Sequence, residues 1–207
     1  RNDIGLGLPL QMQIEGEKKP LIKDPRNKDY STLEAWDGMS LVRMAYGYAL
    51  EITPMHTVML YNAVANNGKM MRPRLVKEIQ NYGETVRTFP TEAAKDRICS
   101  PATVALVREC LEGVAGEGTG RFVMKDAPYT AAVKTGTAQV ALERGGYTDS
   151  KGGRHYLATF VGYFPADNPK YTCLVAIKTY NGPGSRNTYY GASLSGPVFK
   201  AIADRVY

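Results

Sequence analysis

Histidine is almost absent from these 207 residues: His56 and His155 are the only two, and neither has ligand-rich neighbours at the spacing of a zinc site. No metal is expected. Cysteine is scarce as well, with Cys99, Cys110 and Cys173. An odd number without C-x-x-C spacing argues against a disulfide framework, and buried, inert thiols are the expectation for most of them. There is no apolar run long enough to span a bilayer and no signal-peptide pattern. Charge of one sign is never gathered in a block, since the net +6 arises from 26 basic and 20 acidic residues spread along the chain. The 14 tyrosines could stack on bases, but an ordered basic stripe, zinc-finger spacing and RNP-like motif are all missing, so nucleic acid is not an expected partner. The glycine-rich "GEGTGR" (116–121) follows a helical pattern and lacks both Rossmann and Walker spacing. It reads as a loop, and no cofactor is implied.

What is present is an ordinary globular composition, 43% apolar, enough for one large core or two small ones. Residues 1–37, with "EGEKKPLIKDPRNKD", read as an extended surface segment. "TPMHTVMLYNAVANNG" places Thr53 as N-cap, Pro54 at the first helical position and Asn67-Gly68 at the stop, with apolar residues on more than one face of a largely buried helix. "RPRLVKEI" (72–79) predicts a short strand, and "SPATVALVRECLEGV" predicts a second helix with Val104, Val107, Leu111 and Val114 as its stripe. "AAVKTGTAQV", "YLATFVGYFPAD" and "KYTCLVAIKTY" predict three strands, the last two forming an antiparallel hairpin around Asn168-Pro169. "SGPVFKAIADRVY" predicts a terminal helix whose stripe is Val198, Ile202 and Val206, broadened by Phe199 and Ala203. The class is α+β, an antiparallel sheet with helices packed on it.

The strand "VKTGTAQ" spends four positions on Lys134, Thr135, Gly136 and Thr137. Its pleat sends Thr135, Thr137 and Gln139 to one face and Lys134 to the other. A glycine at 136 lets another backbone come close, as a peptide added to a sheet edge requires. Threonine hydroxyls can bind a carboxylate, and the Thr137 backbone N–H can help hold an oxyanion. Such a strand suits a short peptide ending in a free carboxylate.

The resemblance extends beyond these letters. "YGYALEITPMHTVMLYNAVANNGKMMRPRLV", "LEGVAGEGTG", "FVGYFPADNPKYTCLVAI" and "YYGASLSGPVFKAIADRVY" flank the Lys-Thr-Gly strand, and with it the chain resembles the penicillin-binding proteins, whose catalytic set comprises S-x-x-K, an S-x-N-type element and K-T-G. The "KTGTAQV" and "YYGASLSGPVF" forms look most like the class B, division-specific transpeptidases. No S-x-x-K occurs here, and the single S-x-N, Ser185-Arg186-Asn187, follows Lys134 instead of preceding it. It lies in a Gly/Pro loop where serine and asparagine are default turn residues.

The resemblance implies a partial β-lactamase/transpeptidase-like fold. Residues 1–207 would be the C-terminal portion of a transpeptidase domain, with 1–37 as surface segment and 38–207 as helical region, three-stranded antiparallel sheet and C-terminal helix. It implies a serine-type D,D-transpeptidase that cross-links peptidoglycan stem peptides ending in D-Ala-D-Ala through an acyl-serine intermediate and is acylated by β-lactam antibiotics. The serine and the true S-x-N are expected upstream of Arg1, and residues 1–207 alone are expected to be inactive. Lys134 would supply positive field at the reacting centre, and Thr137 would hold the oxyanion through its N–H. Thr135, Gly136, Thr137 and Gln139 would line the substrate strand, with Tyr189 and Tyr190 either an aromatic wall or packing for the hairpin. The resemblance also implies cell-division proteins as partners of the longer protein. The catalytic domain would sit on the extracytoplasmic (periplasmic) face of the cytoplasmic membrane, anchored by an N-terminal segment outside these residues. An elongation-type transpeptidase and a β-lactamase or β-lactam sensor would share the Lys-Thr-Gly strand, though no glutamate stands in a recognisable water-activating position. A non-catalytic basic binding module is the alternative of a different class.

Overall fold

The computed structural model describes residues 4–143 and 145–207. They form two compact units, 4–63 with 67–100, and 64–66 with 101–143 and 145–207.

In the first unit, β1 (Leu21–Ile22) pairs antiparallel with β2 (Leu50–Glu51), and α1 (Ser40–Ala45) lies between them in the chain. The segment up to Asp37 mixes exposed and half-buried positions, and it sends Leu10, Ile22 and Ala35 inside. Leu10 joins Met59, Ala63 and Met70 in a small core. Helix α2 (Pro54–Ala65) has both predicted ends. The Thr53 hydroxyl accepts the His56 N–H at 3.4 Å, and Gly68 donates its N–H to the Ala63 carbonyl at 2.7 Å with Asn67 and Gly68 at positive φ, which caps the last turn. Strand β3 (Met70–Met71) pairs with β6 (Ala93–Lys95), and β4 (Glu78–Asn81) pairs with β5 (Glu84–Thr88) around Tyr82-Gly83. The predicted strand over 72–79 is therefore displaced: only Glu78 and Ile79 of it join a ladder. Pro73 has no N–H to give, and Leu75 and Val76 donate theirs to the Gln13 side chain at 2.8 Å.

The second unit holds α3 (Pro101–Gly116), α4 (Arg121–Met124), β7 (Ala132–Gln139), β8 (Arg154–Phe164), β9 (Tyr171–Asn181) and α5 (Gly191–Val206). The three strands form one antiparallel sheet in the order β7-β8-β9, as the hairpin pattern predicted. Its core gathers Val133, Phe160, Phe164, Met124 and Tyr129 around Phe199 and Ala203 of α5. Phe199 meets Phe160 at 4.9 Å and Phe164 edge-on at 5.7 Å.

Helix α5 departs from its predicted stripe and its predicted start. Val198, Ile202 and Val206 are 42%, 41% and 44% exposed, whereas Phe199 and Ala203 are fully buried with Gly191, Ser195 and Gly196. Small residues let this face approach the sheet backbone, and the buried Ser195 hydroxyl donates to the Ala158 carbonyl at 2.8 Å. The cysteines depart as well. Cys110 is exposed on α3, and Cys99 and Cys173 are half-buried, with burial raising the Cys173 thiol pKa above its ordinary value.

Candidate active site

Strand β7 is the outer strand of its sheet, so one side of its backbone lies along β8 and the other along the sheet margin. Its N-terminal half is anchored by Ala132 and Val133, both fully buried, and the chain emerges at Lys134, which is exposed. Alternation then carries Thr135, Thr137 and Gln139 to the face of Val133. On that face the Thr135 hydroxyl lies 2.9 Å from the Thr119 hydroxyl. The Thr137 hydroxyl accepts the N–H of Gly191, the first residue of α5, at 3.1 Å. Gln139 stands opposite Tyr156 of β8. Lys134 curls along its own strand and donates from Nζ to the Thr135 carbonyl at 2.8 Å.

Gly136 is gripped from both faces. A Cβ there would lie 2.3 Å from the hydroxyl of Thr159, its partner on β8. On the opposite face Gly191 crosses the ladder so closely that a Cβ on it would lie 2.2 Å from the Thr159 carbonyl and 2.5 Å from that of Gly136. The close approach that this glycine permits is thus made by the protein's own Thr159, where the sequence reading looked for a ligand backbone. Helix α5 starts at the strand for the same reason, with its N-terminal end directed at Thr137 and its partial positive charge beside that hydroxyl.

Tyr189 stacks on Tyr156 at 4.1 Å and 13°, so it packs on the hairpin, and Tyr190 leans on Tyr189 at 4.6 Å while remaining 56% exposed. The neighbouring Tyr190 hydroxyl, 3.5 Å away, raises the Tyr189 pKa above the usual tyrosine value. Ser185 and Asn187 are exposed, and the Ser185 hydroxyl accepts the Asn187 N–H at 3.2 Å, a turn contact with no part in the β7 cluster. Thr119, Thr159, Tyr156 and Gly191 are the site neighbours that sequence reading missed. Only the Gly-Thr-Gly run around Thr119 carries any signal, and from sequence it reads as a loop.

A cavity of about 270 Å³ in the first unit, lined in part by Leu8, Leu10, Met59 and Met70, holds none of the predicted site residues. His56 on its wall is fully buried with both ring nitrogens engaged, by the Thr53 hydroxyl at 2.8 Å and the Leu8 carbonyl at 3.0 Å. Among the described residues no cluster of His, Cys, Asp or Glu could hold a metal ion, and no helix is long and apolar enough to cross a membrane.

Residues 2–204 match the family model of the penicillin binding protein transpeptidase domain. The chain belongs to this family. Among relatives of this penicillin-binding protein chain, the peptidoglycan D,D-transpeptidase FtsI of Buchnera aphidicola (subsp. Schizaphis graminum) is 32% identical, over 96% of the chain and 30% of the relative. FtsI of Escherichia coli K12 is 28% identical over 96% of the chain and 29% of the relative. Penicillin-binding protein 3 of Mycobacterium tuberculosis in complex with ampicillin superimposes with a TM-score of 0.74 at 26% identity, covering 99% of this chain and 43% of that one. The chain spans about 30% of the length of the curated relatives it matches. The α+β architecture with its antiparallel sheet is that of the family's solved structures.

Proposed function

We propose that these residues form the substrate-cradling part of a peptidoglycan D,D-transpeptidase of the class B, division-specific type. The serine nucleophile and the S-x-N element are supplied by a part of the protein outside them. One observation carries this reading: on the outer strand of the sheet, the Lys134-Thr135-Gly136-Thr137 run holds two hydroxyls on one face, each already engaged by a neighbour, Thr119 and the Gly191 N–H. A hydroxyl whose lone pair accepts a backbone N–H keeps its proton to donate, and a carboxylate is the partner such donors favour. The penultimate D-Ala carbonyl of a stem peptide laid along β7 would be attacked by the serine hydroxyl. The bond to the terminal D-Ala would break, D-Ala would leave as the amine, and a second peptide's amine would take the acyl group from serine.

Lys134 supplies positive field to the terminal carboxylate and to the serine, Thr135 and Thr137 bind that carboxylate, and the Thr137 N–H contributes half of the oxyanion hole. Gln139, Tyr189 and Tyr190 border the bound peptide. The ampicillin complex of a structural relative supports β-lactams as mimics of the same substrate. The protein would act on the outer face of the cytoplasmic membrane with cell-division proteins as partners, as the resemblance of the sequence to the division-specific transpeptidases implies.

The test is covalent labelling of the whole protein by a fluorescent penicillin, followed by peptide mass spectrometry. The expected adduct lies on a serine outside residues 1–207, and residues 1–207 alone take no label. An adduct on Ser185, or on any other serine of these residues, contradicts the assignment.

A further inference from the structure

The Gly118-Thr119-Gly120 turn is held against β7 by contacts that only glycine allows. Glycine 118 donates its N–H to the Gly113 carbonyl at 2.9 Å, and glycine 120 donates to the Val114 carbonyl at 3.0 Å, so the turn is tied to the last turn of α3. A Cβ at 118 would lie 2.8 Å from the Val114 Cα, and a Cβ at 120 would lie 2.8 Å from Val133 Cγ2 on β7. The backbone therefore sits as close to helix and strand as it can, and Thr119 between the glycines reaches the Thr135 hydroxyl at 2.9 Å. Two hydroxyls at that distance share one proton, and the one that accepts keeps its own proton for a third group.

We propose that Thr119 is a positioning residue for this site: it donates to Thr135, so that the Thr135 O–H is turned outward as a donor to the carboxylate of the bound peptide. This rests on the reading of β7 as a cradle for a peptide ending in a carboxylate. Thr137 is set in the same way by the Gly191 N–H. The face then offers two pre-oriented donors whose acceptor sides are occupied by the protein, and substrate binding need not freeze either rotor. Thr119 is exposed and lies in a turn whose backbone bonds do not use its hydroxyl, so removing that hydroxyl leaves the fold intact.

The experiment compares acylation of the whole protein by a penicillin bearing its free carboxylate with acylation by the methyl ester of the same penicillin. For Thr119→Val the rate with the free acid should fall about 3- to 10-fold, the scale of one lost neutral hydrogen bond, with the ester rate unchanged. Thr119→Ser should restore the acid rate to within about twofold of wild type, because it returns the hydroxyl. Gly120→Ala, which pushes the turn off Val133, should lower the acid-to-ester ratio in the same direction. Wild-type acid and ester rates in Thr119→Val, or equal slowing of both, would overturn the positioning role while leaving the transpeptidase reading in place. A wild-type protein that takes no label from either probe would overturn that reading and this role with it.

Discussion

At Gly136 one methyl group is enough to disturb the site. Its Cβ would meet the Thr159 hydroxyl at 2.3 Å, with the next contact, Thr159 Cβ, at 3.7 Å. Gly136→Ala should therefore destabilise the protein by about 1–3 kcal/mol. Thr159→Ala should recover most of that loss in the double variant, as a thermodynamic cycle from chemical denaturation will show. Additive losses would mean that the strain at Gly136 comes from elsewhere. Thr137→Val removes both a donor to the substrate and the acceptor of the Gly191 N–H. Acylation by penicillin should slow about ten- to a hundredfold, the scale of about 1.5–3 kcal/mol for a hydrogen bond to a charged group. The Lys-Thr-Gly-Thr run was legible because four residue types unusual together in a strand follow one another. Thr159 was illegible because nothing local marks it, and the glycines flanking Thr119 mark only a turn; each threonine matters through the residue that folding sets opposite it.

Helices α2 and α3 were readable from cap and stop residues, which act locally through the four unsatisfied backbone groups at each helix end. The start of α5 was not. The predicted stretch opens at Ser195, yet the helix begins at Gly191, because that glycine fits over the β7–β8 ladder. The β4–β5 hairpin was also missed, since its four- and five-residue strands are largely exposed and carry no apolar alternation to read. Packing of α5 is centred on Phe199, so Phe199→Ala should cost about 3–5 kcal/mol in denaturant titrations. The exposed Val198→Ala should cost well under half as much.

On α2, burial pushes the Tyr61 hydroxyl up to about 12. Its unfolded value is about 10, so the folded state favours the neutral form. That contribution is complete below about pH 10 and is lost as pH rises through about 12. Melting temperatures between these limits should fall less steeply for Tyr61→Phe than for wild type, and parallel curves would contradict the assignment.

At the scale of the molecule, the basic excess of +6 is spread out, and apolar surface is the more informative feature. Leu106 and Phe122 are 63% and 76% exposed in the second unit, where Val198, Ile202 and Val206 of α5 are exposed as well, and Leu41 is 67% exposed in the first. Residues 1–207 expressed alone should self-associate in sedimentation experiments as concentration rises, and a monomer at high concentration would count against this. The family was readable because several motifs occur in order around one strand. Which hydroxyl faces which neighbour required the fold. The central claim is that β7 cradles the reacting substrate, and Lys134→Ala tests it most directly. In the whole protein, with a melting temperature matching wild type, its penicillin acylation rate should fall at least as far as that of Thr137→Val, because the motif loses its only cation. Acylation at the wild-type rate would make Lys134 a solvated edge residue and contradict the account.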